Sequence, residues 1–196
     1  MSSFGVVLDA NVLFPASLRD TLLRAADAGL YRLQLTNDIL EETRRNLVRK
    51  GMSETKAQRL VEVIKDIYQE TFVTGYHLLI GSMPNQEKDK HVLAAAVKSG
   101  AQVIVTQNLK DFPDKALAPF EIEAQSPDEF LIHLFYLDRD VIIRILLEQA
   151  GELRNPSKTV YEVLDTLALH VPKFADLIRR TLRSEQEHLE LSEREQ

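Results

Sequence analysis

Four carboxylates in this 196-residue chain stand where apolar segments begin or end. Asp9 directly follows the run Val6-Val7-Leu8, and Glu42 lies inside a segment of helical spacing. Asp89 precedes Val92-Leu93-Ala94-Ala95-Ala96-Val97, and Asp111 comes shortly after Val103-Ile104-Val105. An acid at the carboxyl end of a buried parallel strand stands in the crevice where open α/β sheets bind ligands. Asn11 follows Asp9 by two positions, and Thr106 and Asn108 follow the other β-branched run, so amides and a hydroxyl share those strand ends. Carboxylates gathered in one crevice repel one another and lose hydration, a cost that a cation removes. The donors are all oxygen, and the chain has no cysteine. Disulfides and thiolate metal sites are thereby excluded, and Mg²⁺ or Mn²⁺ is favoured over structural zinc. Such an ion lowers the pKa of a bound water and stabilises charge on a leaving oxygen, so the expected chemistry is metal-dependent hydrolysis of a phosphodiester.

Each residue also has a plainer role open to it. An Asp after a strand commonly serves as a turn or cap residue, and Asp89 opens a helix, where the dipole favours any carboxylate. Asp111 precedes Phe112-Pro113 in a turn. Glu41 and Glu42 are adjacent, but Glu41 has Arg45 at i+4 and suits a surface ion pair. Glu42 stacks beside Ile39, nearer the apolar face, and is the better candidate for the crevice. His91 either touches phosphate or packs. From Arg44 to Arg59, six basic residues face the single acid Glu54. That run is either a solvated face or, with Arg45 and Arg49 nearest Glu42, a nucleic-acid rim beside the crevice, whose phosphate contacts would weaken with salt.

The elements that must position these groups follow from spacing. Phe4–Leu8 reads as a strand. Leu18, Leu22, Ala25 and Ala26 keep helical spacing, with Ser17 as cap and Gly29 as stop. Leu30–Leu35 reads as a second strand, with Tyr31, Leu33 and Leu35 on one side. Thr36-Asn37-Asp38 offers caps for a helix reaching Lys50, which Gly51 breaks. Ala57, Leu60, Val61, Ile64, Ile67 and Tyr68 make an amphipathic stripe. Tyr76–Ile80 reads as a third strand, Asp89–Lys98 as an alanine-rich helix ended by Gly100, Gln102–Thr106 as a buried strand, and Phe120–Ala124 as a last short one. The alternation implies parallel strands: a three-layer α/β/α sandwich of four or five strands over residues 1–125. At Ser126 the pattern changes. Ser126-Pro127-Asp128-Glu129 combines cap, proline and capping-box Glu. No strand is evident afterwards, Asn155-Pro156 resembles another helix start, and Ser184–Gln196 is charged enough to fray. Residues 126–196 are expected to form a helical extension of three or four helices.

Composition is that of a globular protein, 44% hydrophobic and 28% charged. The net charge of −6 argues weakly against nucleic-acid binding, although the charge is unevenly spread. No apolar run is long enough for a bilayer span, and the first residues lack the basic and apolar regions of a secretion signal. The expectation is a cytoplasmic protein with no membrane association.

Taken together, Leu8-Asp9-Ala10-Asn11-Val12-Leu13, Ile39-Leu40-Glu41-Glu42, Asp89-Lys90-His91-Val92-Leu93-Ala94-Ala95-Ala96 and Val105-Thr106-Gln107-Asn108-Leu109-Lys110-Asp111-Phe112-Pro113 resemble the PIN domain of VapC-type bacterial toxins. The last two strings are long and specific. The likeness covers about residues 4–125. From Ser126-Pro127-Asp128-Glu129-Phe130 onward, the chain resembles the helical C-terminal extension of a subset of these toxins. The resemblance implies a Mg²⁺- or Mn²⁺-dependent ribonuclease, a cognate antitoxin that blocks the site, and a homodimer. It implies that Asp9, Glu42, Asp89 and, less directly, Asp111 hold metal and catalyse, with Asn11, Thr106 and Asn108 contacting substrate. Many members carry an acid where this chain has Asn108, which shifts the fourth carboxylate to Asp111 or removes it. Two other functions compete. An aspartyl phosphotransferase would usually place a second acid two residues after the nucleophile, where this chain has Asn11. A non-catalytic PIN-like scaffold would bind RNA or a protein without cutting.

Overall fold

Val6, Val7, Leu8, Ile104 and Val105 have no solvent exposure, so the two strands that contain them are covered on both faces. A computed structural model describes residues 4–154 and 156–194. In chain order its elements are β1 (Gly5–Leu8), α1 (Ala10–Leu13), α2 (Ala16–Asp27), β2 (Arg32–Gln34), α3 (Asn37–Arg49), α4 (Glu54–Ile67), α5 (His77–Ile80), α6 (Lys90–Ser99), β3 (Val103–Val105), α7 (Asp114–Leu117), β4 (Glu123–Gln125), α8 (Pro127–Leu137), α9 (Arg139–Glu152), α10 (Val160–Ala168) and α11 (Pro172–Arg194). The strands form one parallel sheet in the order β2-β1-β3-β4, with helices around it. The sequence leaves four or five strands open, and four are present among the described residues.

Register does the positioning. Leu8 pairs with Val105, and Val105 with Gln125. The next residues, Asp9 and Thr106, therefore emerge side by side at the carboxyl edge. The Asp9 backbone N–H donates to the Val105 carbonyl at 3.0 Å, which continues the ladder by one step and fixes that edge. Helix α6 lies against β1, β2 and β3. Its residues Val92 to Ala96 are all buried, and the small alanine side chains allow close approach to the sheet. Gly100, at φ 64°, ends it in the left-handed conformation that glycine adopts without steric cost. Thr36 caps α3 by accepting from the Ile39 N–H at 3.1 Å, which starts the helix that carries Glu42.

Several expected boundaries move. Tyr76–Ile80 is no strand: His77–Ile80 is a single helical turn, with Leu78 turned to solvent. The place beside β2 is taken instead by Phe72, which bridges Leu35 in parallel. Helix α2 begins after Pro15, so Ser17 lies inside its first turn and is not its cap. The last strand is Glu123–Gln125, because Phe120 closes a 3₁₀ turn, Ala118–Phe120. Ile67, assigned to the apolar stripe of α4, is mostly exposed.

The helical region after Ser126 starts with the expected capping box, the Ser126 side chain bonding the Glu129 N–H while Glu129 returns to the Ser126 N–H. Among the described residues this region holds four helices. The start expected at Asn155 lies outside the described residues, and α10 begins at Val160 under a second capping box, Thr159 with Glu162. Helix α11 continues through Arg194, past the point of expected fraying, and Glu195 and Gln196 lie outside the described residues. Asp128 accepts the N–H groups of Lys173 (3.1 Å) and Phe174 (2.7 Å), which caps α11 and binds it to α8. Phe130 of α8 packs edge-on against Tyr31 (5.2 Å between ring centres) and Phe4 (6.4 Å). Buried Gln149 of α9 accepts from Thr21 and donates to the Ser17 carbonyl of α2. One apolar cluster thus runs from the sheet into the helical extension. No described helix is long and apolar enough to cross a membrane.

Candidate active site

Asp9 sits at the end of β1 with its side chain almost wholly buried. Its Oδ2 accepts from Asn11 Nδ2 at 2.5 Å and from Thr106 Oγ1 at 2.7 Å. Asn11 Nδ2 also donates to Thr106 Oγ1 at 3.0 Å, closing a three-membered ring, and Asn11 Oδ1 accepts the Gln107 N–H at 2.9 Å. Thr106 Oγ1 accepts the Asn108 N–H at 3.0 Å. Asp9, Asn11 and Thr106 thereby fasten the ends of β1 and β3 to each other and hold one carboxylate in one orientation. Asn108 joins through its backbone, and its side chain is exposed. Burial raises the Asp9 carboxyl to about 6; the Thr106 bond opposes this, and the charges of Glu42 and Asp89 add to it.

Glu42 comes from α3, and its Oε2 lies 3.5 Å from His91 Nε2 on α6. That neighbour holds Glu42 below the usual glutamate range, against the effect of its partial burial. Glu41 turns outward and pairs with Arg44 at 2.6 Å, closer than the Arg45 contact at 4.0 Å that the spacing suggested. Asp89 stands where the 3₁₀ turn Glu87–Asp89 passes into α6, only 7% exposed. Burial raises its carboxyl; Lys88 opposes this, and the charges of Asp111 and Glu42 add to it. Asp111 is held low by Lys88, whose Nζ donates to its Oδ2 at 2.8 Å. The charges of Glu42 and Asp89 reach Asp9, and those of Glu42 and Asp111 reach Asp89, while Lys88 touches both Asp89 and Asp111.

Beside them opens a cleft of about 360 Å³ lined by Glu42, Arg45, Asn46, Arg49, Lys88 and His91, among others. Only part of the basic run reaches it. Arg44 is taken up by Glu41 and Glu54, and Lys50 and Lys56 line a separate hollow with Phe14 and Met52. Sequence reasoning missed Lys88. A lysine next to an aspartate carries no signal, and only the fold reveals that Asp111 lies within its reach.

Four buried side-chain polar atoms lack a hydrogen-bond partner among the described residues: both amide atoms of Asn85, Asp89 Oδ2 and His91 Nδ1. All belong to residues 85–91. Buried polar groups are nearly always satisfied, so the unmet demand of Asp89 and of His91, the neighbour of Glu42, points to a ligand, an ion or water there. As they stand, no three acidic or imidazole groups among the described residues form a closed ligand set. A hard divalent ion does not need one. Mg²⁺ keeps several waters and is commonly held by one or two carboxylates plus substrate phosphate. An all-oxygen donor set, a carboxylate raised to about 6 and an orphaned Asp89 oxygen fit such an ion.

A family model described as the PIN domain matches residues 5–110, more than half of the chain. The chain belongs to the PIN domain family. The match spans β1, β2 and β3 and takes in Asp9, Glu42 and Asp89, ending one residue before Asp111 and short of β4. In this PIN protein, residues 127–180 match a second model, the VapC50 C-terminal domain, which starts at the first residue of α8. The chain is 44% identical over 113 residues to a curated Mycobacterium tuberculosis protein named "Putative ribonuclease VapC50", covering 58% of this chain and 67% of that one. It is a VapC-type PIN protein with a helical C-terminal region.

Proposed function

We propose that this PIN protein is a divalent-metal-dependent endoribonuclease that hydrolyses RNA phosphodiester bonds. The observation that carries the reading is that Asp9, Glu42 and Asp89, from three separate elements, are near enough for their charges to act on one another, with a buried Asp89 oxygen that lacks a hydrogen-bond partner among the described residues. The name of the Mycobacterium tuberculosis relative supports RNA as the substrate. Asp9, Glu42 and Asp89 would hold Mg²⁺ or Mn²⁺, with Asp111 at their side. When bound, the ion supplies an acidified water and neutralises charge on the leaving oxygen. Asn11 and Thr106 orient the Asp9 carboxylate, so little reorganisation is left for the reaction itself. His91 steadies Glu42. Arg45 and Arg49 line the open cleft and bind backbone phosphates, and Asn108, exposed but outside that lining, offers its amide to the RNA. Water attacks in line and leaves a 5′-phosphate and a 3′-hydroxyl.

Residues 1–125 serve as the nuclease unit in this reading, and 126–196 as the helical extension. The motif resemblance to VapC-type toxins extends it further: a homodimer in the cytoplasm, acting as the toxin of a toxin–antitoxin pair whose antitoxin covers the cleft. Co-expression with the product of a neighbouring reading frame tests the pairing. The expected outcome is a stable complex that no longer cuts RNA.

For the chemistry, wild type and Asp89→Asn are incubated with an unstructured RNA in Mn²⁺ or in EDTA. Wild type is expected to cut only with Mn²⁺. Asp89→Asn is expected to be slower by about 10²–10³-fold, the scale for losing one preorganised electrostatic group. Equal rates for the two proteins would overturn the assignment of Asp89. RNA bound but left intact by wild type would favour a scaffold.

A further inference from the structure

We propose that the Lys88 ammonium is a built-in cation that fills the Asp89–Asp111 side of the acidic cluster and limits the site to one divalent ion. The inference rests on the metal-dependent reading above and deepens it.

Lys88 Nζ donates to Asp111 Oδ2 at 2.8 Å and stands 3.5 Å from Asp89 Oδ2. The two carboxylates are nearly closed off, with side chains 4% and 10% exposed, whereas the Lys88 side chain is 63% exposed. The positive charge is thus delivered from the solvent side, on a flexible stem, to acids that solvent barely reaches. Asp89 Oδ2 is buried and, with Lys88 only at 3.5 Å, makes no hydrogen bond among the described residues, so it keeps capacity for a further cation.

Two-metal sites hold their ions roughly 3.5–4 Å apart, so a second ion would need acidic oxygens close to those of the first. Asp89 would be the acid shared by two ions, since its charge acts on Asp9 and the same Lys88 ammonium reaches both it and Asp111. A second ion between Asp89 and Asp111 would fall where the ammonium already stands. On the Asp9 side the situation is reversed. Among the described residues no lysine or arginine pairs with Asp9 or Glu42, and the close neighbour of Glu42 is His91. Lys88 neutralises Asp111, and Asp9, Glu42 and Asp89 remain for one ion. Lys88 also lines the cleft, so the same ammonium stands at the mouth through which RNA phosphate enters.

Mn²⁺ is titrated into the full-length protein by isothermal calorimetry, with bound ion counted independently by electron paramagnetic resonance. Wild type and Lys88→Arg are expected to bind one Mn²⁺ per chain, and Lys88→Met two. Metal-free Lys88→Met is expected to melt below wild type, because Asp111 is left buried and unpaired, and to recover with Mn²⁺ more than wild type does. Two ions in wild type, or one in a folded Lys88→Met protein, would overturn the inference while leaving the nuclease reading intact. No Mn²⁺ bound by any variant would overturn both. Should Lys88→Met fail to fold, Lys88→Gln takes its place, and the wild-type count decides by itself if neither folds.

Discussion

The Asp9 carboxyl, raised to about 6 by burial first and by Glu42 and Asp89 next, has a stability cost whose sign can be worked out. The folded value lies above the ordinary 3.8, so the metal-free folded chain binds more protons than the unfolded one between pH 4 and 6. Stability falls as pH rises through that window, and the full cost, about 3 kcal/mol at roughly 1.4 kcal/mol per pH unit, is present above it. Asp9→Asn is therefore expected to melt higher than wild type at neutral pH without metal. The difference should vanish below about pH 4 in a melting series, although cleavage is lost. The amide oxygen can occupy the Oδ2 position, so both hydrogen bonds of the ring survive. Thr106→Val has the opposite expectation. It strands the Asn108 N–H and removes a donor from Asp9, at about 1–3 kcal/mol by denaturant unfolding. Arg45→Ala and Arg49→Ala, placed in the slow Asp89→Asn background and measured in EDTA so that the RNA stays intact, should weaken RNA binding and flatten its salt dependence. The slope is expected to fall by about 0.7 for each phosphate that is no longer neutralised.

Elements whose signals are local are the ones the sequence reveals. The Ser126–Glu129 box is complete within four residues, and its Ser126→Ala variant is expected to lose about 1 kcal/mol in thermal or chemical unfolding. The Thr36 cap, the Gly51 break and the alanine-rich helix before Gly100 were legible for the same reason. The segment Tyr76–Ile80 was not. Its apolar letters suit a strand, but whether a strand forms depends on a free place in the sheet, and Phe72 takes the place beside Leu35. The site divides along the same line. Asp9, Asn11 and Thr106 could be read as neighbours because parallel register follows from two apolar runs. Glu42 could be separated from Glu41 only weakly by helical phase, and the geometry now turns Glu41 toward Arg44 and Glu42 toward His91. Lys88 was illegible, since its partner Asp111 comes from a distant turn.

At the scale of the whole molecule, the sheet and the helices after Ser126 draw on a single core. Phe130 lies against Tyr31 and Phe4, and fully burying such a ring is worth about 1.5–3 kcal/mol, with edge-on aromatic contacts adding about 0.5–1.5 kcal/mol. Cutting the chain after residue 125 removes that ring together with the Gln149 link to Thr21 and the Glu152 pair with Arg24. The truncated protein is expected to lose cooperative melting by circular dichroism and to elute as aggregate. The acids proposed for the site are scattered from the first strand to the turn before α7, and only the native fold brings them near one another. Under the proposed function, an unfolded molecule offers no chelating pocket, so every bound ion rewards the folded form alone. Supply of magnesium or manganese then governs more than turnover: starved of either, the same molecule is easier prey for cellular proteases, and its lifetime becomes a readout of ion availability.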